Sequence, residues 1–247
     1  MSSVCNSDRF FSDDVTVNLY ERITCKDAVH LTPEEIVSRR DGEDVKPTDI
    51  PIRTFLNMGA KYSAAIEKIR KTEDKDERYD LKKELLPVAT ISASLTTRDQ
   101  NVPIEKKLIE YKGLVVLDFD DVPDVEDAKF RASMMPWVWY CGLSVSGRGF
   151  IAIVPTTNKD YRKHKLYYAA LADEMEKIGL TVDRKCSDVT RVRFLSLDSD
   201  AYFHEGCEYY TIPEGYTLKE TAAQKPFVPL NPTALDDDML NDYVREW

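Results

Sequence analysis

The 247-residue chain is poor in the residues that build metal or disulfide frameworks. Its three histidines, His30, His164 and His204, are too scattered to share a metal-ligand spacing. Its five cysteines, Cys5, Cys25, Cys141, Cys186 and Cys207, are odd in number and never stand as C-x-x-C. That argues against a disulfide scaffold or a zinc ribbon and gives the expectation of a reducing, cytoplasmic setting. No run of eighteen apolar residues is present, so no membrane partner is expected. The opening "MSSVCNSDRFFSDD" lacks the basic-then-apolar order of a secretion signal. Excess basic charge is missing as well. A net charge of −10 excludes a surface coated with lysine and arginine for gripping nucleic acid. The average hides a local reversal, because Ser144 to Leu197 holds ten basic and six acidic residues, a net +4.

What is present reads as alternating elements. "DVTVNLYERI" has the period of a strand, and "LTPEEIVSRR" carries a capping box, with Thr32 as cap, Pro33 first and Glu35 third. The stretch "AKYSAAIEKIRKTEDKDERYDLKKELLP" predicts two helices broken near Thr72 to Asp76 and stopped by Pro87. Its charges fit a solvated face. A nucleic-acid track through Lys61, Lys68, Arg70 and Lys71 is the alternative. "VATISASL" predicts a strand, and "KLIEY" followed by "GLVVLDFD" a hairpin. Next come a helix near Val125 to Ser133, a strand in "WVWYCGLSV", the turn "SGRG" and a strand in "FIAIVP". A helix from about Lys159 to Ile178 stops at Gly179, and "RVRFLSL" supplies a last strand.

This order, β-α-β-β-α-β, predicts an α+β fold of ferredoxin or RNA-recognition-motif type. Such a palm has an antiparallel sheet, helices on one face and the other face free. It would occupy residues 111–212, after a mostly helical region at 1–110 with its N-terminal strand. A Pro-rich linker and the start of a further segment would fill 213–247.

Three pieces converge on the free face of that sheet. Asp118 and Asp120 end its first strand one residue apart and so share a face, where they repel unless a cation or open water relieves them. The turn Ser144 to Gly149 offers Ser144, Ser146, Gly147, Arg148 and Gly149 for close approach to a phosphate. "VDRKCSDVTRVRF" adds Asp183, with Arg191 and Arg193 on one strand face. Acids that hold metal, beside arginines and a glycine turn that hold phosphate, are what two-metal nucleotidyl transfer requires. Asp121 and Asp124 are expected to cap the following helix. Trp137, Trp139 and Tyr140 are expected in the core, and Asp198 and Asp200 in a loop.

"LDFD", "SGRGF" and "VDRK…TRVRF" resemble the three motifs of archaeo-eukaryotic-type primase–polymerases. From about residue 50 to 210 the chain is similar to the VirE N-terminal-like domain of bacterial mobile-element and phage replication proteins. The resemblance implies Mg²⁺ or Mn²⁺ on Asp118, Asp120 and Asp183, with Asp188 as substitute for the last, and Arg191 as the basic residue after it. It also implies nucleic acid and a nucleoside triphosphate as partners, and a helicase-like domain following in the chain or acting in trans. One departure stands out. The family's histidine after the glycine turn is here Ile151, so one phosphate contact is lost. The alternative reading is a non-catalytic module that binds nucleic acid or a partner. A second alternative is a haloacid-dehalogenase-type phosphatase with Asp118 as nucleophile and Asp120 as acid/base, which needs a parallel sheet.

Overall fold

The computed structural model describes residues 9–26 and 49–218. The helix expected at 31–40 and nearly all of the C-terminal segment lie outside the described residues. The chain divides into two compact units, Met1–Tyr216 and Thr217–Trp247. Every helix and strand among the described residues belongs to the first unit.

In chain order these elements are β1 (Arg9–Phe10), β2 (Thr16–Tyr20), β3 (Asp49–Pro51), α1 (Ile52–Asn57), α2 (Ser63–Lys71) and α3 (Lys75–Leu85). Then come β4 (Val88–Thr90), β5 (Ala93–Leu95), α4 (Ile104–Lys107), β6 (Leu108–Tyr111) and β7 (Leu114–Phe119). The rest are α5 (Val125–Ser133), β8 (Tyr140–Leu143), β9 (Phe150–Pro155), α6 (His164–Lys177), β10 (Val192–Phe194), β11 (Tyr202–Phe203) and β12 (Cys207–Glu208). All pairings between these strands are antiparallel, so the fold is α+β as expected. The antiparallel β7–β9 ladder also removes the parallel sheet that the phosphatase reading needs.

The central sheet has the order β11-β8-β9-β7. β7 is apolar on both faces, and its period of two sorts the side chains cleanly. Val115, Leu117 and Phe119 pack with Ala128 and Ala132 of α5 and with Tyr168, Leu171 and Met175 of α6. Leu114 and Val116 face the other way, into a second cluster with Val17, Leu19, Ile50, Ala89 and Trp139. That cluster belongs to a second sheet, β10-β4-β2-β3.

Three expectations are altered, two of them by this second sheet. Among the described residues before 111, β2, β3 and β4 join the helices and build a sheet that covers much of the palm face expected to be free. The last strand, β10, pairs with β4 rather than joining the palm. The edge of β7 is closed without it: Arg193 Nη2 donates to the Val116 carbonyl at 3.1 Å and the Asp183 N–H to the Asp118 carbonyl at 2.9 Å. An edge blocked in this way no longer templates another strand. Finally, β6 pairs with β5 and not with β7, so the expected hairpin does not form. Gly113, at φ +70°, turns the chain between them, and a Cβ there would press on the Asn158 carbonyl.

Other expectations hold. α2 and α3 break at 72–74, and Asp74 caps α3 by accepting from the Glu77 N–H. Asp124 caps α5 in the same way through Asp127, but Asp121, expected to share that role, instead sits in a left-handed turn at φ 49°. Trp137, Trp139 and Tyr140 are all buried. No helix among the described residues is long and apolar enough to cross a membrane.

Candidate functional site

Where the second sheet stops short, the palm face opens into a cleft of about 490 Å³. Asp118 stands on the floor, on the same face of β7 as Leu114 and Val116, and Asp120 follows it at the exposed rim. Directly across the ladder from Asp118 is Ile151. Opposed residues of an antiparallel pair lie side by side on one face, so Ile151 stands beside Asp118 in the cleft.

The cation that relieves Asp118 is part of the protein. The Arg193 guanidinium, held in the interior by β10, forms an ion pair with the Asp118 carboxylate. Burial, the largest single influence, disfavours the charged guanidinium, but the Asp118 carboxylate together with Cys186 and Tyr168 outweighs it and holds the pKa above the ordinary value. Asp120 has no such partner among the described residues. Its pKa is raised, first by burial and then by Asp118, Asp183 and Asp121, with Lys82 opposing. For Asp183 the balance is reversed. Burial pushes it up, but the Lys185 N–H at 2.9 Å, the Cys186 thiol at 3.3 Å and the charges of Arg191 and Lys185 bring it below the usual carboxylate range.

These contacts decide how far the acids fit a divalent ion. Asp183 spends its oxygens as the cap of the short turn at 184–186, and Asp188 pairs with Lys165 at 3.4 Å. Among the described residues, no group of three or more His, Cys, Asp or Glu side chains is set to hold a metal. Asp120, with raised proton affinity and no partner, fits a cation. Asp118 fits only if it exchanges Arg193 for that cation, and Asp183, whose carboxylate accepts from its own turn, does not line the cleft.

The turn after β8 divides in two. Ser144 and Ser146 line the cleft, their hydroxyls 3.1 Å apart, whereas Gly147, Arg148 and Gly149 do not. The Gly147 and Arg148 N–H groups are spent on Ser144 and Ser146 within the turn. Gly149 has a structural reason: a Cβ there would collide with the Phe119 carbonyl, so only glycine lets the turn lie against the end of β7. Two anchors hold the turn. The Asp198 carboxylate, paired at 2.9 Å with the fully buried Lys129, accepts from the Leu143 N–H at 2.9 Å. Arg70 donates to the carbonyls of Val145 at 3.2 Å and Leu197 at 2.6 Å. Arg70 is thus a clamp on the turn rather than part of a nucleic-acid track, and Lys71 pairs with Glu67 on its own helix. Asp198 lies in the loop after β10, as expected, and its buried carboxylate is what anchors the turn.

Arg191 and Arg193 both reach the cleft, as their spacing predicted, and they meet around Cys186. Arg191 Nη2 donates to the Cys186 sulfur at 3.0 Å, and burial pushes that thiol up to about 12.

Sequence reading missed the opposite wall. Lys82 of α3 and Arg98 of the loop after β5 line the cleft, with Tyr79 half-exposed at its mouth. Lys82 is half-buried and has no hydrogen-bond or ion-pair partner among the described residues. Burial first, then Arg78, lowers its pKa, while Asp120 and Asp118 pull it back up. Arg98 is held by the Ile23 and Cys25 carbonyls at 2.9 and 3.2 Å and lies over the Tyr20 ring. A lysine in a dense run of surface charge, such as "KDERYDLKKEL", leaves no local mark that it alone faces a site.

The arrangement is a cleft in which, besides the Arg193 paired with Asp118, three cations (Lys82, Arg98 and Arg191) stand around an acidic floor and an apolar patch at Ile151 and Phe194. Chemically it can take a phosphate-bearing ligand against the cations and a cation against Asp120. Searches of curated proteins and of solved structures return no match. A family model does match: the BT4734-like, N-terminal domain model covers residues 80–203. That span holds every cleft residue except Ile23 and Tyr79. On that match over half of its length, the chain belongs to the BT4734-like N-terminal domain family.

Proposed function

We propose that this chain is a primase–polymerase-like domain of a mobile-element or phage replication protein, whose cleft takes a nucleoside triphosphate on a nucleic-acid template. The observation that carries the reading is convergence. Asp118 and Asp120, Ser144 and Ser146, and Arg191 and Arg193 come from three separate stretches and line one cleft. The resemblance of those same stretches to primase–polymerase motifs supports it. In this reading Lys82, Arg98 and Arg191 bind the phosphates, and Ile151 offers an apolar surface to the sugar or base. Asp120 and Asp118 would hold Mg²⁺ or Mn²⁺, which when bound polarises phosphoryl oxygens and activates an attacking hydroxyl. A helicase-like partner, in the same chain or in trans, is part of the proposal.

Titration with Mn²⁺, with and without a nucleoside triphosphate, tests it. Triphosphate binding should depend on Mn²⁺ in the wild type and weaken at least tenfold, about 1.4 kcal/mol, in Asp120→Asn. Wild-type protein that binds no triphosphate under any metal condition sinks the proposal.

Lys82 gives a sharper check. A charge-assisted contact to a phosphate contributes about 1.5–3 kcal/mol, so Lys82→Gln should weaken triphosphate binding roughly tenfold to a hundredfold. Thermal melting should be unchanged, because the side chain has no protein partner to lose. Equal affinity in Lys82→Gln and wild type would assign that lysine to the solvated surface.

A second reading, a binding module without catalysis, is favoured by the Arg193–Asp118 pair and by Ile151 opposite Asp118. Nucleotide incorporation on a primed template separates the two. Triphosphate binding without incorporation supports the module.

A further inference from the structure

A second cavity of about 390 Å³ adjoins the cleft and shares Gln100, Asp188 and Thr190 with it. One wall is apolar, from Val102, Pro103 and Ile104, and Tyr161, Arg162 and Lys165 line it at the start of α6. Its lining holds three side chains of fixed positive charge, Lys107, Arg162 and Lys165, against one carboxylate, Asp188. Lys107 is committed inward, buried with its Nζ on the Asp99 carbonyl at 2.9 Å. Arg162 has no carboxylate partner among the described residues. Its guanidinium lies 5.4 Å from the centre of the Tyr161 ring. Lys165 meets Asp188 at 3.4 Å with both side chains more than half exposed, a pair that water screens and a stronger anion displaces.

We propose that this second cavity receives a single-stranded nucleic acid running on from the cleft. Arg162 and Lys165 take backbone phosphates and Tyr161 the face of a base. The inference rests on the reading of the cleft as a nucleotide site and extends it to a place where the polymer passes. Three features favour this ligand. Backbone cations interleaved with an aromatic ring and an apolar wall suit unpaired bases, whose faces need stacking as much as their phosphates need charge. The two cavities adjoin across Gln100, Asp188 and Thr190, which places them within reach of one strand. And a narrow cationic groove suffices for one strand, so the ligand needs no excess of basic charge over a chain of net charge −10.

The test uses a labelled oligothymidylate and, in separate titrations, a nucleoside triphosphate. The proteins are wild type, Tyr161→Ala and Arg162→Gln/Lys165→Gln, with thermal melting as a check on folding. Tyr161→Ala should bind the oligonucleotide about tenfold more weakly, the usual scale for one stacked base. The double variant should lose two phosphate contacts, making the log–log salt dependence shallower by about 1.4. Triphosphate affinity should not change in either. Equal oligonucleotide affinity and salt slope in all three proteins overturns the inference. Wild type that binds triphosphate but no oligonucleotide also overturns it and leaves the cleft reading intact. Wild type that binds oligonucleotide but no triphosphate removes the cleft reading instead, and the variants then decide the inference alone.

Discussion

Replacing Arg193 with methionine should destabilise the fold by about 3–5 kcal/mol, enough to leave much of the protein unfolded at moderate temperature. The guanidinium is buried against Asp118, and its Nη2 closes the edge of β7 at the Val116 carbonyl. Removing it strands a nearly buried carboxylate and frees a strand edge together. The loss is larger than the net worth of the pair, because the desolvated charge left behind has nothing to replace its water. Asp118→Asn should also destabilise, since it leaves Arg193 charged in the interior with only a neutral partner. Arg193→Met combined with Asp118→Leu should regain much of the loss, having no charge left to bury. Urea denaturation of the four proteins measures this, and a stability within about 0.5 kcal/mol of wild type for Arg193→Met would rule out the pair as a structural element. The result bears on function too. A drop in metal or nucleotide binding in an Asp118 variant mixes lost chemistry with lost structure, so Asp120 is the cleaner position for testing the cleft.

Acid should destabilise the protein through His164 by about 3 kcal/mol between neutral pH and pH 4. This histidine is buried, and burial pushes it down to about 4 from 6.5, against the pull of Asp188 and alongside the repulsion of Lys165. Asn158 donates to the Tyr111 oxygen at 3.0 Å, and the same hydroxyl shares a hydrogen bond with His164 Nδ1, also at 3.0 Å. Between pH 6.5 and 4 the unfolded chain binds the proton and the folded chain does not. The contribution is therefore complete above pH 6.5 and lost progressively as pH falls towards 4. Denaturation midpoints at several pH values, for wild type and His164→Gln, should show a steeper fall in the wild type, by up to about 1.4 kcal/mol per pH unit. Parallel curves would mean that the imidazole is not held neutral.

How much of this was legible beforehand depended on whether the governing interaction is local. The breaks of α2 and α3, the cap at Asp124, the stop at Gly179 and the strand period of "LVVLDF" follow from residues within a few positions of one another. Sequence determined them because capping, φ preference and side-chain alternation act over one or two turns. It also placed Asp118 and Asp120 together, and Arg191 and Arg193 together, at one cleft.

Sequence could not decide which strand β10 joins. A three-residue strand with arginine at its centre carries no pairing code of its own, and burial of that guanidinium against Asp118 belongs to the folded chain alone. Nor could it separate Arg70, which clamps a turn 75 residues away, from Lys82, which faces the cleft without a partner. Both sit in runs of charge that look alike along the chain. The sequence by itself set the local elements and the two pairs of charged residues. The tertiary structure decided which acid is neutralised from within and which keeps no partner among the described residues, because the charge that settles it arrives from 75 residues away in sequence.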